Sequence, residues 1–529
     1  MGLYLNPGNE EFRNAAIHSK IYVDKTEMIK FTNSQLFGEH KNICVSRPRR
    51  FGKSMAANML VAYYSKGCDS KELFENFKIA DDSSFKEHLN KYNVIHLNIQ
   101  QFLGRTETIH EMLELLSRKV TRELKLEFAD VTYYEEDLVS VIEEIYAQTH
   151  SFFVFIIDEW DCIFRVKRED TEAQKLYLKF LNNLFKDQSY CVLVYMTGIL
   201  PVKKYGTHSI LNMFDEYSML NQRELAEFTG FTEQEVLGLC SQYNMPYDKM
   251  KQWYDGYDLK GIQIYNPRSV VMSLSGHDFD SYWTKTETYE ALKKYIQMDM
   301  YNLKELVTRL IAGSSIEINP DKFQNDMTTF ASADDVLTLL VHLGYLTYDF
   351  DTCTVHIPNQ EVQKEFINCI EDGGWEPVMD AIRKSEELLA ATIRGEEETV
   401  ARMIENAHQE NTSILAYNDE NSLACVIALA YYSAKKNYVV YRELAGGKGF
   451  ADMVFVPRKT TQTPAIVVEL KWNQTAEAAI TQIKRKQYVE SLKDYRGEVI
   501  LVGINYESKE LKKDDYKKHS CKIERITMA

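Results

Sequence analysis

Eight residues, Arg47–Ser54 (RPRRFGKS), constrain this chain more than any other segment. They stand between a short apolar run, NICVS at 42–46, and a stretch of helical composition, MAANMLVAYYS at 55–65. A strand, a loop ending Gly52-Lys53-Ser54, then a helix is the order in which N–H groups at a helix N-terminus cradle a phosphate. In that order Lys53 reaches the β- and γ-phosphates and Ser54 binds Mg²⁺. The full pattern wants Gly where this chain has Arg47, so the loop alone is also compatible with a basic turn that caps a helix.

A second segment narrows the choice. Ser151–Asp158 (SFFVFIID) is a continuous apolar run that ends in acid, as a central parallel strand does. Asp158-Glu159 at its end is the acid pair a Walker B motif requires: Asp158 for the Mg²⁺ shell, Glu159 to polarise the attacking water. Two matched motifs in the right order, about one hundred residues apart, make coincidence a poor explanation. Further strands are expected at 93–99 and 190–197, with helical stretches at 107–147 and 172–187. Alternating buried strands and helices predict an α/β fold with a parallel sheet. Two readings stay open for Thr197, a sensor of the γ-phosphate or a turn threonine. Arg47, Arg49 and Arg50 either offset phosphate charge or form a solvated loop face.

From about 224 the pattern turns helical. Thr232 is the expected N-cap of one helix, with Glu235 as its capping-box partner. Amphipathic helices follow within 285–345. A helix and two short strands, with a turn at Asp349–Asp351, predict a small winged-helix-like unit. Residues 376–409 read as a charged helical connector. The last part is predicted as helix 422–434, strands 438–444, 451–457 and 465–471, helix 475–491 and strand 498–506.

That last part carries a third motif. Asp452 lies in one predicted strand, just after Gly449, and Glu469-Leu470-Lys471 ends the next. Glu469 and Lys471 are two apart in a strand, so they share a face. Carboxylates of Asp452 and Glu469 on neighbouring strands suit Mg²⁺, which takes oxygen ligands. Lys471 would orient a water or stabilise charge on the phosphorane. Gln482 and Lys486 face the same way on the following helix, where Gln482 could touch water or phosphate. Glu420, opening the upstream helix, is a further candidate carboxylate. The competing reading is an exposed, salt-bridged strand edge. The helix–strand–strand–strand–helix–strand order around the motif favours the metal site.

Charge bounds the partners. With a formal net charge of -16 the chain is no general nucleic-acid coat, so contact with DNA or RNA needs local basic surfaces or bridging metal. Nine scattered cysteines without a CxxC pair argue against a disulfide framework and a structural zinc site. The N-terminus lacks the order of a signal peptide, and Asn6 stands where myristoylation wants Ser or Thr. The run Phe152–Ile157 is too short to span a bilayer. A cytoplasmic protein without membrane partners is expected.

RPRRFGKS, FIIDEWD, YMTGILPV, EFTGFTEQEV, WYDGY, YNPRSV, LGYLTY, IPNQEV, FADMVFV and VVELK together resemble bacterial proteins that pair an AAA-ATPase-like domain with a C-terminal PD-(D/E)XK nuclease-superfamily domain. Arg47 in place of the first Gly matches that group's own loop. The resemblance implies a P-loop α/β ATPase domain (1–225), a helical lid and winged-helix-like region (226–375), and a restriction-endonuclease-like α/β domain with its connector (376–529). It implies Lys53, Ser54, Asp158 and Glu159 as the nucleotide site, with Ser54 and Asp158 on Mg²⁺; Arg49, Arg50, Phe51, Gly52 and Thr197 are the further residues expected to contact the nucleotide. It implies Asp452, Glu469 and Lys471 as the nuclease site, with Gln482 and Glu420 as lesser members and Mg²⁺ or Mn²⁺ on Asp452 and Glu469. WYDGY is typical of the group and suggests lid packing rather than chemistry. Arg223 is an arginine-finger candidate only by being basic and following the last core strand.

The expected function is ATP binding and hydrolysis coupled to metal-dependent cleavage of nucleic acid, DNA in the first instance. One alternative is an ATP-dependent switch or scaffold whose nuclease-like domain binds nucleic acid or a protein without cutting. Another is a signalling ATPase acting on proteins. A homo-oligomer is expected only by analogy with other AAA-type modules.

Overall fold

The computed structural model describes residues 2–528 apart from 203–209, 222, 284–287, 298–300, 326, 329, 412–419, 447–448, 459–462, 487–491, 493–494 and 508–517. The chain divides into two units, Met1–Thr288 with Glu317–Gln363, and Tyr289–Ile316 with Lys364–Ala529. The segment 226–375, expected as one region, is therefore shared between them.

In the first unit the apolar runs of the sequence become a five-stranded sheet. Its strands are β1 (Asn42–Ser46), β2 (Asn93–Asn98), β3 (Phe153–Asp158), β4 (Cys191–Gly198) and β5 (Asp215–Tyr217). The order is β2-β3-β4-β1-β5, and every neighbouring pair is parallel. Helices cover both faces, so β1, β3 and β4 are buried along their whole length. That is why they read as unbroken apolar runs and not as alternation. Ile43, Val45, Val154, Ile156 and Tyr195 pack with Leu60 and Val61 of the helix Lys53–Tyr64. The short polar strand β5 has no apolar run and was not expected.

After the sheet, Thr232 caps the helix Glu233–Gln242 as predicted: its Oγ1 accepts the Glu235 N–H, and the Glu235 carboxylate accepts the Thr232 N–H at 2.7 Å. This helix, Tyr247–Tyr254 and Pro267–Gly276 share a core of Val236, Tyr254, Tyr265, Val270 and Leu274. The helix Ala333–Leu343 and the antiparallel hairpin Thr347–Asp349/Thr354–His356 form the expected helix-and-two-strand unit. The WYDGY segment joins the two: Tyr257 Oη donates to Gly344 O at 2.8 Å, and Asn359 Nδ2 donates to Asp255 O at 2.7 Å.

The second unit is built on another five-stranded sheet, in order β6 (Tyr438–Gly446), β7 (Gly449–Pro457), β8 (Ala465–Trp472), β9 (Gly497–Glu507) and β10 (Lys518–Met528). Only β8 and β9 run parallel, joined by the helix Ala476–Lys486. The final strand β10 was not expected; its charged positions, Lys522, Glu524 and Arg525, hid it. Residues 376–409 form two helices, Glu376–Arg394 and part of Glu397–Asn411, split at Gly395 with φ 82°. The second packs on this sheet, with His408 against the Tyr506 ring at 5.0 Å.

Among the described residues no helix is long and apolar enough to cross a membrane. All nine cysteines are free thiols in this structure.

Candidate functional site

Parallel strands all end at one edge of a sheet, and there the first site assembles. The register aligns Asn98 of β2 with Asp158 of β3, and Asp158 with Thr197 of β4. The loop after β1 turns into its helix through Gly52, whose φ of 88° is left-handed. A Cβ there would touch nothing, so conformation alone calls for glycine. Lys53 is buried and donates from Nζ to Arg47 O and Pro48 O, both at 3.0 Å. Burial lowers its pKa, while Glu159, Asp161 and Asp158 hold it up. Ser54 Oγ donates to Asp158 Oδ2 at 2.7 Å. A hydroxyl and a carboxylate so close are a hard oxygen pair that fits Mg²⁺, which needs few protein ligands beside phosphate and water. Burial raises the Asp158 carboxyl, and its contacts with Ser54 and Lys53 oppose that rise.

Glu159 follows in a left-handed conformation, φ 55°. Its Oε2 meets Nη2 of Arg165, whose Nε donates to Asp161 Oδ2 at 3.1 Å. Arg49, Arg50, Lys53, Ser54, Glu159 and Arg165 all line one cavity of about 580 Å³. Phe51 also borders it, although its ring is buried edge-on against Tyr257 at 5.3 Å.

Three sequence candidates do not line this cavity: Asp158, which meets Ser54, together with Thr197 and Arg47. Thr197 is fully enclosed; its carbonyl accepts the backbone N–H of Trp160 at 3.1 Å, and the Trp160 indole packs against Gly198. Arg47 is neither a phosphate contact nor a solvated loop residue. It is completely buried, and its Nη1 donates to Ser46 O and Tyr217 O, both at 2.9 Å, tying β5 to β1. Burial pushes its pKa down to about 10. Sequence reasoning missed Lys25, Gln100, Arg165 and Arg268, which border the cavity. Only Arg165 left a signal, lying one helical turn after Asp161. The side chains of Arg223 and Glu420 lie outside the described residues.

The second site sits on β7 and β8. Burial of β8 from Ala465 to Lys471 is continuous, and β8 is the middle strand of its sheet. Glu469 and Lys471 are thus not the charged ends of an exposed edge. Glu469 is 2% exposed and Lys471 8%. Lys471 Nζ donates to Glu469 Oε1 at 2.9 Å and to Leu470 O at 3.0 Å. Gln482 Nε2, from the helix Ala476–Lys486, donates to the same Glu469 oxygen. Asp452 lies one residue beyond the last β7–β8 pair, Met453 with Val468, and its Oδ2 accepts the Leu470 N–H at 2.6 Å. All four candidates are therefore gathered. Among the described residues no three His, Cys, Asp or Glu side chains are grouped to hold a metal. The donor set of Asp452 and Glu469 is two carboxylates, which suits Mg²⁺ with its retained waters.

Comparison with known proteins gives the same two-part architecture. The predicted AAA-ATPase family model matches residues 7–208, and the PD-(D/E)XK nuclease superfamily model matches residues 418–516. A curated relative from Azotobacter chroococcum mcd 1, an uncharacterized protein in the vnfD 5'region, is 23% identical over 283 residues. That match is 50% of this chain and 51% of the relative, so the chain spans about half the length of the curated relative it matches. Among solved structures, the Aeropyrum pernix ORC2 protein in its ADPNP–ADP complexes is similar over 67% of this chain and 97% of that chain, at 13% identity and a TM-score of 0.30. CDC6P from Pyrobaculum aerophilum is similar over 69% and 98%, at 9% identity and a TM-score of 0.22.

Proposed function

We propose that this chain, which joins an AAA-ATPase-like region to a PD-(D/E)XK superfamily region, binds and hydrolyses ATP and uses that cycle to control metal-dependent cleavage of nucleic acid. The observation that carries the reading is the buried Glu469–Lys471 pair in the middle of a sheet, with Gln482 and Asp452 beside it. Burying an ion pair seldom stabilises a fold over an apolar pair of the same shape. A paired acid and lysine at the end of a central strand are more readily explained by chemistry.

In this reading Asp452 and Glu469 hold Mg²⁺ or Mn²⁺, which when bound polarises the scissile phosphate. Lys471 orients the attacking water or balances negative charge on the phosphorane. Gln482 fixes the Glu469 carboxylate. In the other unit, Lys53 and the N-terminus of its helix take the phosphates of ATP, Ser54 and Asp158 take Mg²⁺, and Glu159 takes the proton of the attacking water. The substrate class is nucleic acid, with DNA the first to try, in the cytoplasm.

The test is cleavage of mixed DNA and RNA substrates with Mg²⁺ or Mn²⁺, with and without ATP, by wild type and Lys471→Ala. Cleavage by wild type alone is expected, with a rate that changes on adding ATP. No cleavage under any condition refutes the nuclease reading and favours a nucleotide switch that only binds its partner.

A further inference from the structure

Arg165 stands at the cavity with its guanidinium divided between two carboxylates. Its Nε donates to Asp161 and its Nη2 to Glu159. The two partners differ. Asp161 is fully enclosed, and its Oδ2 also accepts the Ile199 N–H at 3.1 Å and the Leu200 N–H at 2.9 Å. It is fixed to the loop after β4. The Glu159 side chain keeps 20% of its exposure and lines the cavity, as do Lys53 and Ser54. Nη1 of Arg165 makes no hydrogen bond among the described residues. The Nε position is therefore anchored, while Nη2 meets a carboxylate that lines the same cavity as Lys53 and Ser54.

We infer that Arg165 is a catalytic residue for ATP hydrolysis: held at Asp161 through Nε, it exchanges Glu159 for an oxygen of the γ-phosphate when ATP enters. This rests on the P-loop reading above. A terminal phosphate carries more charge and more acceptor oxygens than one carboxylate, so it wins the planar fork. The exchange does two things at once. It frees the Glu159 carboxylate, and it sets a cation against the γ-phosphoryl oxygens. The water oxygen then bonds to the γ-phosphorus, and the bond from that phosphorus to the β–γ bridging oxygen breaks. The electron pair leaves with ADP. The water's proton passes to Glu159 and from there to the inorganic phosphate. The positive charge comes from the same chain as the P-loop, a role that supplies large rate factors in other phosphoryl-transfer sites.

The experiment measures ATP turnover and ATPγS affinity for wild type, Arg165→Ala and Arg165→Lys, with and without guanidinium ion in the buffer. Arg165→Ala is expected to lose about 10³-fold in kcat. Its affinity should change less than about tenfold, the pattern of a transition-state contact. Arg165→Lys should retain part of the rate, and guanidinium should restore part of the activity of Arg165→Ala. Turnover by Arg165→Ala equal to or above wild type overturns the inference, because the pair would then only mask Glu159. Equal loss of rate and thermal midpoint in both variants, without rescue, overturns it in favour of a structural role. Wild type that binds no nucleotide overturns the P-loop reading itself, and this inference with it.

Discussion

Ser54 Oγ donates a 2.7 Å hydrogen bond to Asp158 Oδ2, joining residues 104 positions apart in the chain. The strands that deliver them are not neighbours. In the order β2-β3-β4-β1-β5, β4 lies between β1 and β3, so the first turn of the helix after β1 reaches across a strand. Both atoms sit beside Lys53, whose Nζ is held by two carbonyls of its own loop. The loop is thus already folded around the lysine.

Lys53→Ala should lower ATP affinity by at least about tenfold, or 1.4 kcal/mol. Asp158→Asn should leave metal-free nucleotide binding intact and remove its response to Mg²⁺. Calorimetry with Mg²⁺ and with excess chelator checks both. An unchanged affinity in Lys53→Ala sinks the P-loop assignment.

Lys471→Ala and Glu469→Gln should each abolish cleavage and leave ATP affinity within about twofold of wild type, since they alter a separate site. Glu469→Gln leaves Lys471 buried without its carboxylate, so that variant should also lose stability, on the order of 3–5 kcal/mol. Cleavage gels and thermal melts run on the same preparations separate the two effects. Persistent cutting by Lys471→Ala would remove that residue from the chemistry.

Gly503 of β9 packs where a Cβ would lie 2.3 Å from Ala476 O, at the start of the helix that carries Gln482. Gly503→Ala must push that helix away, at a cost of about 1–3 kcal/mol for overpacking. It should lower the cleavage rate while ATP turnover stays unchanged. Equal loss of both activities would mean that the damage is not confined to the Gln482 helix.

The pH profile of ATP turnover should report Glu159. Burial raises its carboxyl above the ordinary 4.5, although Arg165 pulls it back down. The deprotonated form accepts the water's proton, so turnover should rise with pH through that raised pKa and then level off. The sign for stability is opposite. A raised folded pKa contributes stability below the unfolded value, and that contribution is lost as pH rises through the folded one. An acid limb of kcat at or below pH 4.5 would contradict the raised carboxyl, and Glu159→Gln should erase the limb.

Local order was legible in the sequence. The run ending at Asp158 is apolar on both faces because helices cover both faces, and the capping box at Thr232 and Glu235 formed as read. The nuclease candidates were legible too, because Glu469 and Lys471 interrupt an otherwise apolar strand. Strands β5 and β10 were not, since a short edge and a charged edge carry no apolar run. Arg165 was not singled out either: it sits in a short apolar helix, CIFRV, where its only local signal is the four-residue spacing from Asp161, and the pairing with Glu159 as well as Asp161 is what sets it apart.

By itself, then, the sequence determined the apolar strands, the Gly52-Lys53-Ser54 turn into its helix and which residues carry acid or base, because each depends on neighbours a few positions away. The tertiary structure alone decided that Arg47 ties β5 to β1, that Thr197 is fully buried, and that Arg165 faces Glu159. Those facts follow from the lateral order of strands and from burial, which depend on contacts between residues far apart in the chain.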